Sequence, residues 1–260
     1  MQNLVSKDGT VLAYDRQGEG PPLIVMGGAL NDRQITAPVA EALARRFTVY
    51  NYDRRGRGAS GITLPYRIDD EVDDLDALIA EAGGSAMLFA NCTGGMLALE
   101  AVARGSAVTK LALYEPPYIV GENPLRLNEE FRTELADHLD NDRPGDAVAH
   151  FLTRTVGLPP EVLVKFQQSP MWGALIGMAP SLRYDVEIAR DNSIPVQDLL
   201  DRIALPTLAV RGLASPQWQV DSVKVLADAL PNARCHSLEG QNHNLDAEVV
   251  GPLLEEFFAD

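Results

Sequence analysis

The chain has 260 residues, 46% hydrophobic and 23% charged, with 22 basic against 37 acidic side chains and a formal net charge of −15. That length admits one large core, or a core with an inserted cap, in an ordinary soluble globular protein. The acidic excess argues against nucleic acid as a partner, since gripping phosphates needs a basic surface. No apolar run approaches the roughly 18 residues of a membrane span, so no membrane partner is expected. The start, MQNLVSKDGT, lacks the basic-then-apolar pattern of a signal peptide, which makes the cytoplasm the expected compartment. Two cysteines, Cys92 and Cys235, are too few for a disulfide framework and fit no zinc spacing.

In chain order, residues 3–17 predict two strands joined at Asp8-Gly9, a hairpin signal. LIVMGG (23–28) is a wholly apolar run ending in glycines, the pattern of a strand buried on both faces. APVAEALARRF predicts an amphipathic helix and FTVYNYD (47–53) the next strand. DDEVDDLDALIAEAGG (69–84) has apolar residues at 72, 75, 78 and 79, a helical stripe stopped by Gly83-Gly84. Its acidic run is expected to be a solvated face with its charge near the helix N-terminus. AMLFA (86–90) predicts a strand, MLALEAVARG a helix, and KLALYEPP (110–117) a strand closed by two prolines.

Between about 118 and 200 this rhythm stops. EEFRTELADHL and DAVAHFLTRTV predict helices, the connections are proline-rich, and no strand is expected, so 118–200 is expected to form a helical cap. The rhythm resumes with strand PTLAVRG (206–212), helix VDSVKVLADAL, strand ARCHSLEG (233–240) and helix VVGPLLEEFFA. Segments 1–117 and 201–260 therefore form the expected core. Alternating buried strands and helices imply an α/β fold, a mostly parallel sheet covered on both faces.

In such a sheet, ligands bind beyond the carboxyl ends of the strands. Four of those ends carry informative groups: MGGAL, FANCTGG, LYEPP and LEGQNHN. The strongest signal is LFANCTGGMLAL (88–99), which places Cys92 at the apex of a strand-to-helix turn among small residues. A nucleophile there sits on a strained backbone, and the following helix aims its first amides at the same space, favouring a thiolate and a developing oxyanion. The bland alternative for Cys92 is a small buried hydrophobe, as expected for Cys235 in mid-strand. Of the four histidines, His138 and His150 fall on cap helices and His236 lies within a strand. His243 follows a strand and a glycine-containing loop, the position suited to a catalytic base.

Ala90-Asn91-Cys92-Thr93-Gly94 resembles the G-x-S-x-G nucleophile elbow, with cysteine for serine and alanine for the first glycine. On this motif, together with YDRRGRGAS (52–60), the cap position and LEGQNH, nearly the whole chain resembles an α/β-hydrolase. The resemblance implies an oxyanion hole from the backbone N–H groups of Gly28 and Thr93, with Met26 where that family often has histidine. The usual acid after PTLAVRG is absent, because Gly212-Leu213-Ala214-Ser215 carries serine in its place. Glu115, at the strand end from which some haloalkane dehalogenases of this fold take their acid, is the expected substitute. The order Cys92, Glu115, His243 keeps nucleophile, acid and histidine in sequence. The alternative for Glu115 is an ion pair with Arg54, Arg55 or Arg57, and Asp246 is a weaker candidate acid. Met26, Asn91, Trp172, Tyr184 and Ser215 are expected near the substrate, with Ser215 bonding the histidine or touching substrate.

The implied activity is acyl transfer or hydrolysis of an ester, lactone or thioester through Cys92, with no cofactor or metal and a partly apolar small-molecule substrate. Two alternatives stay open on the same scaffold. One is a lyase, isomerase or cyclase using His243 as general base; the other is a catalytically weak ligand-binding protein.

Overall fold

The computed structural model describes residues 1–123 and 125–260. Strands β1 (Gln2–Val5) and β2 (Val11–Gln17) pair as an antiparallel hairpin, turned through Gly9 at φ +90°. Then follow β3 (Pro22–Met26), helix α1 (Arg33–Leu43), β4 (Thr48–Tyr52), α2 (Ile68–Glu81), β5 (Ala86–Asn91), α3 (Thr93–Ala103) and β6 (Val108–Tyr114). After the cap come β7 (Thr207–Gly212), α10 (Gln217–Ala229), β8 (Ala233–Leu238) and α11 (Ala247–Ala259). The eight strands lie in the order β1-β2-β4-β3-β5-β6-β7-β8. All pairings from β4 across to β8 are parallel, and the two at the other edge are antiparallel.

The continuous apolar runs follow from this topology. Successive side chains of a strand point to opposite faces, so a strand covered on both sides must be apolar throughout. Leu23, Val25, Met87 and Phe89 enter one core against α1 and α11, whereas Ile24, Met26, Leu88 and Ala90 enter the other, under α2, α3 and the cap. Each fully buried side chain of this kind contributes about 1.5–3 kcal/mol.

Residues 118–200 carry helices α4 (Glu129–Asp140), α5 (Pro144–Phe151), α6 (Pro160–Gln167), α7 (Met171–Met178), α8 (Leu182–Ala189) and α9 (Gln197–Leu200). A π-helical turn, Leu152–Val156, continues α5 and ends at Gly157 in the left-handed conformation. Among the described residues of this segment there is no strand. Helix α8 packs on α2 and α3, which joins this helical segment to the rest of the chain.

Two expectations need correction. The helix expected over 37–47 spans Arg33–Leu43 instead. The Asp32 carboxylate accepts from the amides of Gln34 and Ile35 and so starts the helix early, with Pro38 inside it. The acidic run of α2 is only partly solvated: charge lies in its first turn and Asp69 and Asp76 are exposed, but Asp70, Glu71 and Asp74 are buried, each within reach of an arginine. No helix among the described residues is long and apolar enough to cross a membrane.

Candidate active site

Strand β5 ends at Asn91 and α3 begins at Thr93, so Cys92 forms the whole corner at φ 52°, ψ −131°. A non-glycine residue there is strained by about 1–3 kcal/mol and persists only where its surroundings hold it. Its amide donates to the Tyr114 carbonyl at 3.0 Å, tying the corner to β6. Close packing explains the glycines: a Cβ on Gly28 would lie 2.5 Å from Cys92 Cβ and 3.2 Å from its sulfur, and one on Gly94 would lie 2.6 Å from the Gly27 oxygen. Cys92 is only half-buried. The first amides of α3 have no intrahelical acceptor and are positioned to meet an anion beside the sulfur.

Glu115, the residue after β6, is fully buried and also has positive φ, 46°. Its carboxylate accepts three hydrogen bonds. The Gly212 amide donates to Oε1 at 2.8 Å, the Ser215 hydroxyl donates to Oε2 at 3.0 Å, and His243 Nδ1 lies 2.9 Å from Oε2. The loop after β7, which lacks the expected aspartate, thus supplies two donors that hold a carboxylate reaching in from β6. Ser215 touches the acid and not the ring. Asp246 caps α11 through the Glu248 amide, which takes it away from the site.

With the Nδ1 proton given to Glu115, Nε2 of His243 is left for the thiol, and both Cys92 and His243 line one cavity. Burial opposes the imidazolium. Against it act the charge of the Cys92 sulfur and its hydrogen bond, then the bond and charge of Glu115, and the ring is pushed up to about 10. Gln219 of α10, also buried, lies with its amide 2.8 Å from the same Nδ1. Nδ1–H and an amide N–H are both donors and cannot bond each other, so beside a protonated Nδ1 the Gln219 amide fits only with its oxygen toward the ring, sharing that proton with Glu115. Sequence reasoning missed Gln219. Its one signal is its place a helical turn after Ser215, on the helix that leaves the strand end nearest the histidine.

The cavity measures about 120 Å³. Besides Cys92 and His243 it is lined by Thr93, Pro117, Asp185, Trp218, Gln219 and apolar cap residues. Met26, Asn91, Trp172 and Tyr184 are not among its walls. Met26 is fully buried in the core under α2 and α3, Asn91 is buried at the end of β5, and Tyr184 stacks on Tyr66. Trp172 packs edge-on against Phe166 within the cap. The aromatic wall comes from Trp218 of α10 and Phe151 of α5.

The arginines of YDRRGRGAS do not touch Glu115. Arg54 makes a two-pronged pair with Glu71, Nε–Oε2 2.7 Å and Nη2–Oε1 2.8 Å, and Arg55 does the same with Asp74 at 2.7 Å twice. Arg54 also reaches Asp185 of α8 at 3.2 Å, and Arg57 reaches its other oxygen at 2.7 Å. The Thr93 hydroxyl donates to Asp185 at 2.7 Å. Burial would raise this carboxyl, but the guanidinium groups of Arg57 and Arg54 and the Thr93 bond hold it below its usual range. A buried charged network therefore ties α8 to the residue that follows Cys92.

With this geometry established, comparison places the chain among known proteins. The sequence profile of the alpha/beta hydrolase family matches residues 27–248. An alpha/beta hydrolase from Sphaerobacter thermophilus is 44% identical, covers 99% of this chain and 100% of its own, and superposes with a TM-score of 0.94. The enol-lactonase of Burkholderia xenovorans shares the fold at 20% identity, TM-score 0.77, with all of both chains covered. The chain spans about half the length of an uncharacterized hydrolase of Bacillus subtilis, at 27% identity over 134 residues, 49% of each chain. The chain belongs to the alpha/beta hydrolase family of enzymes.

Proposed function

We propose that the protein hydrolyses, or transfers the acyl group of, an ester, lactone or thioester through a thioester formed on Cys92. The observation that carries this reading is the shared cavity of Cys92 and His243, with the ring's far nitrogen 2.9 Å from a buried carboxylate. The thiol proton passes to Nε2, and the sulfur bonds to the substrate carbonyl carbon. The oxygen that becomes negative lies against the amides of Gly28 and Thr93. The tetrahedral centre collapses, the bond to the leaving group breaks, and the imidazolium returns its proton to that group. Water, or an alcohol or amine acceptor, then loses a proton to His243, attacks the thioester and releases Cys92 as thiol. Glu115 keeps the ring in the productive tautomer and supports its positive charge.

Rapid quenching with an activated ester is expected to give a substrate-derived mass on the peptide containing Cys92. Cys92→Ala is expected to lower kcat at least 10³-fold, in keeping with removal of a nucleophile. A Cys92→Ala enzyme that keeps substantial rate while His243→Ala does not would replace this reading with general-base chemistry. Unaltered ligand affinity in both variants, without turnover in the parent, would make the protein a binder.

A further inference from the structure

Resting on the acyl-transfer reading above, we infer that the substrate's acyl group is short, apolar and uncharged, and that acyl groups bearing a carboxylate are rejected. The walls beyond the sulfur are Pro117, Ile119, Leu127, Phe151, Val156 and Trp218. No lysine or arginine is among the described lining residues. The two charged residues that do line the cavity are already matched: His243 by Glu115, and Asp185 by Arg54 and Arg57.

Three of the neutral side-chain donors in the lining are engaged as well. The Thr93 hydroxyl donates to Asp185, the Thr155 hydroxyl to the Phe151 carbonyl at 2.6 Å, and the Asn192 amide to the Pro117 carbonyl at 3.2 Å. The Asn192 oxygen is itself engaged, accepting from the Leu127 amide at 3.2 Å. A carboxylate in the acyl pocket would lose its hydration and meet no unpaired cation and few free N–H or O–H groups, which is strongly unfavourable.

Size is limited too, since an apolar cavity of about 150 Å³ holds benzene and this one is about 120 Å³.

The test compares p-nitrophenyl butyrate with p-nitrophenyl hemisuccinate, which differ by a carboxylate in place of the terminal methyl. The butyrate ester is expected to have the higher kcat/KM by at least about 30-fold, with most of the difference in KM. A second measurement needs no acyl chemistry. Alkylation of Cys92 by iodoacetamide and by iodoacetate is followed by mass spectrometry in Cys235→Ser, each rate divided by that of glutathione. Iodoacetamide is expected to be favoured at Cys92 by tenfold or more beyond its advantage with glutathione. If neither ester is turned over and this preference holds, the acyl-transfer reading fails and the inference about the pocket stands. Hemisuccinate turned over as well as butyrate, or iodoacetate matching iodoacetamide after normalisation, overturns it.

Discussion

Cys92 and Glu115 each end a central strand with positive φ, 52° and 46°, and each carries a group central to the proposed chemistry. Both strained turns are held by neighbours: Cys92 by the Tyr114 carbonyl and the close-packed glycines, Glu115 by the donors of Gly212 and Ser215. The missing side chain of Gly28 leaves room for Cys92, whose Cβ and sulfur would otherwise be crowded. Gly28→Ala places a methyl against Cys92 Cβ, and kcat should fall about 10²–10³-fold, as when one oxyanion donor is removed; steady-state kinetics with an activated ester checks this. Glu115→Gln removes a negative charge that raises the His243 ring. Activity that needs the imidazolium is lost as pH rises through the ring's pKa, so the alkaline limb of kcat/KM should move to lower pH. The same variant should lose about 10²-fold or more in rate, and an unmoved limb would remove Glu115 from the site. Cys92 and His243 were legible because strand ends and small-residue turns mark chain position, whereas Glu115 was one of two candidate acids until the fold brought it to the ring. Gln219 was not, since a glutamine on an amphipathic helix has no pattern that separates it from a surface residue.

At the scale of elements, the helical segment 118–200 is fastened through charge as well as through apolar packing. Asp185 on α8 meets Arg54 and Arg57 from the turn after β4, and the same carboxylate receives the Thr93 hydroxyl at the start of α3. Asp185→Ala leaves Arg57 without its acid and Arg54 with one partner fewer, both fully buried. Breaking a buried pair in this way costs about 3–5 kcal/mol, which predicts a fall in melting temperature of roughly 10 °C for a chain of this size. Thermal unfolding measures that fall, and a simultaneous loss of kcat in the folded variant would report the Thr93 contact. The buried acidic residues of α2 were misjudged for a related reason. DDEVDDLD reads as solvated unless the arginines of 54–57 are known to fold over it, and those partners lie 15 or more positions away. The π-helical turn at Leu152–Val156 was equally invisible, although Thr155 and Val156 from it line the cavity.

Over the whole molecule, the charge of −15 sits mainly on exposed carboxylates, while the arginines nearest the site are buried and paired. Repulsion among exposed charges is screened within about 10 Å at 0.1 M salt, whereas buried pairs are screened far less. Raising sodium chloride from about 10 mM to about 0.2 M should therefore raise the melting temperature by a few degrees. A scan at constant pH tests this, and a decrease would mean that surface ion pairs outweigh the net repulsion.

The order of strands and helices, the turn that presents Cys92 and the position of His243 were determined by the sequence alone. Their signals are local, carried by apolar runs, helical periodicity and the small residues of a tight corner. Tertiary structure decided which acid meets the histidine, which residues wall the cavity, and whether the α2 carboxylates face water or arginine. Those outcomes depend on pairs brought together across the sheet, such as Glu115 with Ser215 and Arg54 with Asp185, 100 and 131 positions apart. The energy of such a pair is set by burial and distance, neither of which is written in either residue's neighbourhood along the chain.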